Sequence, residues 1–480
     1  MNLSSVCASC LSLPVQLVSR RCFPDSSFRC ILLYSMLAKI LRLANSVWFI
    51  ALVALLLRLT YFVHMAHQIP AVVLAAVPFQ NEVGNVASAL AQAHGFCCLF
   101  RQPTGPTAWL SPVYPLIVAG IFKLFGIFTL RSFYTAISLN CVFSALAAVP
   151  LFYAAKRVAG LTTAAIAGWI WALFPAGIIL PSEWIWDTSL SVLLAPALLC
   201  STVELKDRPR QRDFALYGLL WGFSLLTNPA LGSLLPFLVG WVVFQYRRNR
   251  ALQIRLGLAT CAVLVLTCLP WTVRNYVQFH RFIPLRSNFP YEFWSGNNEI
   301  FDEHSRAVNR ITRYEQVHLY AELGENEFLS DKLHRALHFV RTHPSLYAQL
   351  FGRRIIATWL GTEAPWQDFA SSDSQLVRFV LAWNAFALLA MIVGLLRLYI
   401  LRRSYFFPVA CFPVIFPLTF YIAHTTLRHR HPCDPIVALL IAIAIAGVQR
   451  QVYANSVESS KSNRSRTARF AKENARPVRK

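Results

Sequence analysis

Residues 79–115, FQNEVGNVASALAQAHGFCCLFRQPTGPTAWLSPVYP, form a polar, turn-rich segment between two apolar stretches of the chain. The segment contains a single acidic residue, Glu82, and ends in a proline step at Pro112 and Pro115. A polar loop held between membrane segments can keep a carboxylate in water beside lipid, as a membrane enzyme requires. On position alone, an ordinary connecting loop with a solvated acid is the simpler interpretation. The rest of the chain favours the interpretation that this loop holds the carboxylate of a membrane enzyme.

The composition is that of a protein solvated mainly by lipid. Of its 480 residues, 56% are hydrophobic and only 14% are charged, whereas soluble domains carry about a quarter charged residues. The net charge of +23 comes from short basic clusters between apolar runs, which is the pattern of the positive-inside rule. A nucleic-acid partner is not predicted, because no polar domain with a basic, aromatic face is present.

Apolar runs recur at lengths close to the roughly 20 residues that cross a bilayer. The shorter run 112–127 begins with two prolines and carries Lys123, so it is predicted to lie at the membrane interface. The basic clusters between the spans then fall on one side, which the positive-inside rule makes the cytoplasm. We predict an all-α polytopic protein with about ten transmembrane helices: 44–64, 132–155, 161–180, 185–203, 214–229, 231–246, 256–273, 376–398, 404–424 and 433–449.

The spans divide the chain into segments of different character. Residues 1–35 are rich in Ser and Cys and lack the ordered regions of a signal peptide. We interpret them as a doubtful extension before a more natural start at Met36; a genuine leader is the alternative. The predicted segments are an N-terminal transmembrane catalytic module (36–273) with first outer loop 65–131, an external segment (274–375) with helical stretches at 312–323 and 327–342, C-terminal transmembrane helices (376–450), and a basic disordered tail (451–480).

Polar residues beside the predicted spans gather on the same side as loop 65–131. Charged side chains near lipid are costly and are often functional. A carboxylate on one loop that faces arginines on other loops could hold a phosphate while it deprotonates a hydroxyl. Besides Glu82, the residues predicted to bind substrate are Asn81, Arg58, His94, Arg101, Tyr114, Asp187, Arg274, Asn275, Arg286, Arg428, Arg430 and His431. Snorkelling to lipid headgroups is an equally good interpretation of Arg58 or Arg274 taken singly.

No metal or other cofactor is predicted. The twelve cysteines show no paired zinc-ligand spacing, and the arginines beside His429 and His431 disfavour a divalent cation. Motifs of P-loop, Rossmann, zinc-protease and serine-hydrolase sites are absent from the sequence. The Asp-x-Asp clamp typical of nucleotide-sugar enzymes is also missing. A sugar phosphate carried by a lipid therefore suits the predicted location.

Several stretches follow one another in a recognisable order: NEVGNVASALAQAHGF (81–96), GPTAWLSPVYPLIVAGIFKLFG (105–126), the motifs PWTVRNY, RFIPLRSNF and WSGNN within 270–298, and LRHRHPCDP (427–435). Together they resemble the family 39 glycosyltransferases of the C-type superfamily, which includes protein O-mannosyltransferases and the aminoarabinose transferase that modifies lipid A. The resemblance covers residues 44–450. It implies an inverting sugar transfer from a polyprenyl phosphate to a hydroxyl, at the outer face of a bacterial inner membrane.

The resemblance also assigns roles to residues. The family's proposed base is an acid in the first outer loop, where many members have Asp-Glu and this chain has Asn81-Glu82; Glu82 is therefore the candidate base. Arg428 matches the arginine of the family's Arg-Tyr-x-x-Pro pattern, with His429 in place of the tyrosine. Ser111 stands where the family usually has a proline.

The implied mechanism needs cations at the leaving phosphate and no obligatory metal. Arg274 and Arg428, with Arg58 or Arg286, are predicted to stabilise the departing polyprenyl phosphate. The predicted partners are a polyprenyl-phosphate sugar donor, a hydroxyl acceptor on a lipid, polysaccharide or protein, and membrane lipid. A transporter of lipid-linked sugars is one alternative, although the sequence has no visible two-fold repeat. A catalytically inactive scaffold of the same fold is another.

Overall fold

The computed structural model describes residues 43–100, 102–183, 185–298, 314–362 and 374–448. Over these residues the chain forms α-helices joined by turns and short 3-10 segments, with an isolated β-bridge between Cys97 and Pro106. We number the helices α1 (Val47–His67), α2 (Ala71–Ala76), α3 (Glu82–Ala91), α4 (Val113–Phe125), α5 (Leu130–Leu146), α6 (Ala148–Ala159), α7 (Leu161–Ala172), α8 (Pro175–Glu183), α9 (Thr188–Leu205), α10 (Gln211–Thr227), α11 (Leu235–Phe244), α12 (Arg250–Phe279), α13 (Phe289–Gly296), α14 (Tyr314–Thr342), α15 (Pro344–Leu360), α16 (Gln375–Leu401), α17 (Arg403–Val414), α18 (Leu418–Ile422), α19 (Leu427–Arg430) and α20 (Asp434–Ala446).

The helices confirm the predicted all-α, multi-pass membrane architecture. Within the described ranges, seven helices or continuous helix pairs are long and apolar enough to cross a membrane. An eighth is obtained when α7 and α8, which meet at a bend of 42°, count as one span. Pro175 begins α8 and cannot donate a hydrogen bond to the preceding turn, which explains the bend at this position.

The predicted total of ten spans is not confirmed by helix length. Predicted span 214–229 corresponds to α10, which has 17 residues. Predicted span 231–246 corresponds to a 3-10 turn (Pro229–Leu234) followed by α11, which has 10 residues. Both helices are shorter than the roughly 20 residues that cross a bilayer. The chain breaks at Asn228, which is followed by a proline that cannot continue α10.

Small residues bring transmembrane helices close together. A Cβ atom on Gly394 of α16 would lie 2.1 Å from the carbonyl oxygen of Leu440 on α20. A Cβ atom on Gly218 of α10 would lie 2.3 Å from the carbonyl oxygen of Thr260 on α12. Glycine at these two positions therefore lets the backbones approach at a distance that a side chain would prevent.

The buried apolar side chains form two groups, one among the transmembrane helices and one under the loop 65–131. The second group joins this loop to α13 and α14. Trp109 contacts Tyr291 of α13 with a ring-centroid distance of 5.1 Å, and Tyr320 contacts Phe328 within α14 at 5.4 Å. Helix α14 is broken at Gly324, where φ is 71°, between the two helical stretches predicted for this segment. The loop is thereby packed on a separate apolar core.

The remaining predictions about segments are not tested. The proposed extension 1–35 and the tail 451–480 lie outside the described residues, as does Arg101. Helix α4 has 13 residues and is shorter than a span, in the region predicted to lie at the membrane interface.

Candidate active site

Glu82 occupies the first position of α3, and the local sequence fixes it there. The side-chain oxygen of Asn81 accepts a hydrogen bond from the Gly84 backbone N–H at 2.9 Å, and its amide donates to the Pro78 carbonyl at 2.9 Å. Asn is a preferred helix N-cap because its side chain satisfies a backbone donor that the helix leaves unpaired. Asn81, predicted to bind substrate, thus positions Glu82.

Two charged side chains hold the loop that follows α3. Arg274 at the end of α12 donates hydrogen bonds of 2.7 Å to the carbonyls of Thr107 and Phe96. Glu325 of α14 is buried and accepts four hydrogen bonds, from the Thr107 hydroxyl (2.6 Å), the Ala108 N–H (2.9 Å), the Ser287 hydroxyl (2.6 Å) and the Tyr320 hydroxyl (2.7 Å). Both residues stabilise the loop, and Arg274 uses its guanidinium on backbone carbonyls.

Four predicted residues from four separate segments come together at one place. Asp187 precedes α9 and lies within electrostatic reach of Arg286 and Arg428, and Glu82 lies within reach of Arg428. The Arg428 guanidinium lies 4.9 Å from the ring centroid of Trp186. Arg286 is half-buried and makes no hydrogen bond to the described part of the chain. We call this end of the helices, at Asp187, the site end.

Both carboxyl groups of this cluster are made more basic by their surroundings. Burial raises the pKa of Asp187 to about 6, even though Arg286 and Arg428 act to lower it. Burial is also the main cause that raises the pKa of Glu82, with a further contribution from Glu292 that Arg428 opposes. A carboxylate with a raised pKa is a better proton acceptor near neutral pH, which is a property of general bases.

Glu292 and His424 belong to this site but were not predicted. An oxygen of Glu292 lies 3.4 Å from Nδ1 of His424, and the other accepts a hydrogen bond of 2.8 Å from the Asn288 amide. The available signal was that Glu292 is the single acid in the aromatic run 289–298. No comparable signal marked His424.

The structure does not bring Arg58 to this cluster. Arg58 is fully buried in α1 and donates to the Ser144 hydroxyl (2.8 Å) and to the carbonyls of Ala54 (2.9 Å), Ala172 (3.3 Å) and Trp171 (3.2 Å). These bonds join α1 to α5 and α7. Its guanidinium is therefore occupied within the transmembrane helices.

Arg430 and His431 also lie apart from it. Arg430 bonds to Asp434 at 3.0 Å and to the Trp359 carbonyl at 2.8 Å, and His431 bonds to the other Asp434 oxygen at 2.7 Å. All three are buried, and their bonds link α15 to α20.

The remaining predicted residues are either hydrogen-bonded within the structure or exposed. The Asn275 amide donates to the Ile283 carbonyl at 3.0 Å, and His94 is exposed on its turn. Tyr114 is buried and donates to Asn140 at 2.8 Å, while it lies within electrostatic reach of Asp187. The Tyr114 hydroxyl is therefore bonded to α5 and lies near Asp187. Within the described ranges, no group of three His, Cys, Asp or Glu residues is arranged to hold a metal ion.

Comparisons with known proteins identify the fold. No protein-family model and no curated protein matches the sequence. The Archaeoglobus fulgidus oligosaccharyltransferase, in a complex with Zn and sulfate, matches 83% of this chain and 48% of its own, with 12% identity and a TM-score of 0.50. AglB from the same organism, in complex with an inhibitory peptide and a dolichol-phosphate, matches 88% of this chain and 52% of its own, with 14% identity and a TM-score of 0.45.

A third match is ArnT from Cupriavidus metallidurans bound to undecaprenyl phosphate, over 81% of this chain and 77% of its own, with 16% identity and a TM-score of 0.34. The first match shows that this chain shares the fold of the Archaeoglobus fulgidus oligosaccharyltransferase. The chain spans about half the length of the oligosaccharyltransferases. Membership of family 39 and a bacterial origin stay predictions.

Proposed function

We propose that the protein is a membrane glycosyltransferase that moves a sugar from a polyprenyl-phosphate donor to a hydroxyl acceptor. The observation that carries this proposal is the cluster of Glu82, Asp187, Arg286 and Arg428 at the site end. Such a transfer needs a base for the acceptor and cations for the departing phosphate, and the cluster supplies both. The similarity of fold to an oligosaccharyltransferase agrees with this class of reaction.

In this mechanism Glu82 accepts the proton of the acceptor hydroxyl while the oxygen attacks the anomeric carbon. The bond from that carbon to the phosphate oxygen breaks as the new bond forms on the opposite face, so the configuration inverts. The electron pair leaves with the polyprenyl phosphate, whose charge Arg286 and Arg428 stabilise. The guanidinium groups of Arg58, Arg274 and Arg430 are engaged elsewhere, so we do not place them at the phosphate.

Asp187 has a different role in this proposal. It is buried within electrostatic reach of Arg286 and Arg428 and balances part of their charge when no phosphate is bound. It is also the second candidate base, because its pKa is raised to about 6. Replacing each carboxylate separately distinguishes the two assignments.

We further propose that the site faces the outside of a bacterial inner membrane. The basic clusters in or just after the last turns of α6, α9 and α11 lie at the ends of these helices away from Asp187, and the positive-inside rule assigns such clusters to the cytoplasm. Nucleotide sugars are made in the cytoplasm, so a donor presented on the other side has to be carried by a lipid. The sugar and the acceptor are not determined by these arguments.

The decisive experiment measures transfer of labelled sugar from a panel of polyprenyl-phosphate sugars by purified protein in liposomes. Glu82→Gln is expected to lower the rate by roughly 10²- to 10⁴-fold, the usual contribution of a general base. Glu315→Gln, which removes an exposed acid on α14, is the matched control and should retain the wild-type rate. Full activity of Glu82→Gln would overturn the assignment of the base. Donor binding without turnover by any variant would favour a transporter or an inactive scaffold.

A further inference from the structure

Three basic side chains converge at the other end of the transmembrane helices. Arg157 is in the last turn of α6, Lys206 directly follows α9, and Arg402 lies between α16 and α17. Asp187 and Lys206 flank opposite ends of α9, which has 18 residues and is therefore about 27 Å long at 1.5 Å per residue. We call this second end, at Lys206, the basic end; it is remote from the candidate active site.

The chain holds Lys206 in a defined position. The Tyr246 hydroxyl donates to the carbonyls of Leu205 and, at 3.0 Å, Lys206, which fixes the end of α9. The Lys206 ammonium lies 4.7 Å from the ring centroid of Tyr405, and this cation–π contact restricts the side chain. A lysine whose only role was to keep the protein soluble would not need these supports.

Among the described residues, the acids beside Lys206 are paired with other cations. Arg157 pairs with Asp207, and Glu204 pairs with Arg208 at 3.0 Å. Lys206 therefore adds a charge that no ion pair of the described chain offsets. Burial, together with nearby Arg157 and Arg402, lowers the pKa of Lys206, as expected for a cation crowded by other cations.

The Nε atom of Arg157 is buried and has no hydrogen-bond partner among the described residues. An unsatisfied guanidinium donor beside a crowded ammonium is a combination that an anion with several oxygen atoms would satisfy. Cations at helix C-termini also interact favourably with the helix dipole. That effect acts on each helix separately and does not require three of them to meet.

We propose that Arg157, Lys206 and Arg402 bind the phosphate headgroup of an anionic phospholipid at the basic end. A lipid suits the position better than free phosphate because apolar residues of the adjoining helices are exposed there: Leu401 has 53% and Phe407 has 43% of its surface accessible. Acyl chains can pack against such surfaces while the headgroup stays with the cations. Basic pockets between transmembrane helices bind anionic headgroups in this way.

The test measures retention of phosphatidylglycerol by the full-length protein in detergent, using native mass spectrometry and a lipid titration. The variant combines Lys206→Gln with Arg402→Gln. Its control combines Arg210→Gln with Arg248→Gln, two exposed basic residues whose replacement changes the net charge equally. At about 1 kcal/mol for each basic residue, the first variant should bind phosphatidylglycerol about thirtyfold more weakly, and the control should bind as the wild type does.

Further arms distinguish the ligand and exclude misfolding. Lys206→Arg should retain binding, because it keeps the charge and the cation–π contact. Phosphatidylcholine should bind more weakly than phosphatidylglycerol. Equal binding of these two lipids, or equal loss in both double variants, would overturn the site. Displacement of phosphatidylglycerol by inorganic phosphate of similar affinity would show that the ligand is free phosphate and would overturn the lipid assignment.

Discussion

Arginines beside the transmembrane helices differ in what their guanidinium groups contact. Arg58 and Arg274 donate to backbone carbonyls, and Arg430 bonds to Asp434 as well. Arg286 and Arg428 instead face carboxyl groups in the candidate active site. Because these bonds reach other segments of the chain, the first group holds those segments in place. Under the proposed function, the second group meets the phosphate of the donor.

This difference leads to a prediction for donor binding. Arg286→Gln and Arg428→Gln should each weaken binding of a polyprenyl phosphate by roughly 10- to 100-fold, since a hydrogen bond to a charged group contributes about 1.5–3 kcal/mol. The measurement is a titration with fluorescent polyprenyl phosphate. The control is Arg131→Gln, an exposed arginine at the start of α5, which should leave the affinity unchanged. Wild-type affinity in both site variants would contradict the proposed phosphate contacts.

Asp187 predicts how donor binding depends on pH. Its pKa is raised from 3.8 to about 6, so it loses its negative charge as the pH falls through about 6. The neutral form competes less for Arg286 and Arg428, and a phosphodiester donor keeps its charge throughout this range. The affinity for the donor should therefore increase as the pH falls from 7.5 to 5. Because one proton is taken up when the donor binds, the increase approaches, at its steepest, tenfold for each pH unit.

Titrations of a non-reacting phosphodiester analogue from pH 5 to 7.5 measure this effect. They are best done in a Glu82→Gln background, because Glu82 would contribute in the same direction. Adding Asp187→Asn should make the affinity nearly independent of pH. If the pH dependence persists in that variant, Asp187 is not the group responsible.

The sequence was informative about some of these residues and silent about others. It marked Glu82 as a candidate because the acid stands alone in its loop, and it marked Asp187 and Arg428 because each adjoins an apolar run. Arg286 was marked because it follows the seventh predicted span on the same side. It could not separate these arginines from Arg58 or Arg274, since the carbonyls that occupy them come from residues distant in the chain. Contacts across 114 or 178 positions leave no local pattern.

At the scale of elements, Glu325 connects α14 to the loop that carries the site. Glu325→Ala would leave four donors without their acceptor, including the Thr107 hydroxyl and the Ala108 N–H. A buried donor left without its acceptor typically costs about 1–3 kcal/mol. We expect faster hydrogen exchange in residues 96–108 and a lower rate of sugar transfer. The helices of the membrane region should be unaffected.

Hydrogen exchange with mass spectrometry measures the effect on the loop directly. Glu315→Ala is the matched control, because this glutamate lies on the same helix and is exposed. It should exchange as the wild type does. If Glu325→Ala also exchanges normally in 96–108, the four hydrogen bonds are not what orders the loop.

At the scale of the whole molecule, the path of α10 and α11 decides the number of membrane crossings. The Asn228 amide, at the end of α10, donates to the Ser191 hydroxyl at 3.2 Å, in the first turn of α9. Tyr246, just after α11, bonds to the carbonyl of Leu205 at the opposite end of α9. The chain therefore reaches the site end at Asn228 and returns to the basic end at Tyr246. These contacts support the predicted ten spans, although both helices are shorter than a typical span.

Cysteine labelling of intact cells can test this path. The background is a variant without its twelve native cysteines, to which one cysteine at a time is returned or added. Cys98 in the first loop should react with a membrane-impermeant thiol reagent from outside, and Arg248→Cys should react only after permeabilisation. The deciding position is Ser233→Cys, in the turn between α10 and α11. With ten spans this turn faces outside and labels like Cys98; with eight spans it stays on the side of Arg248. Labelling only after permeabilisation would therefore remove both predicted crossings and leave the two helices as a re-entrant pair.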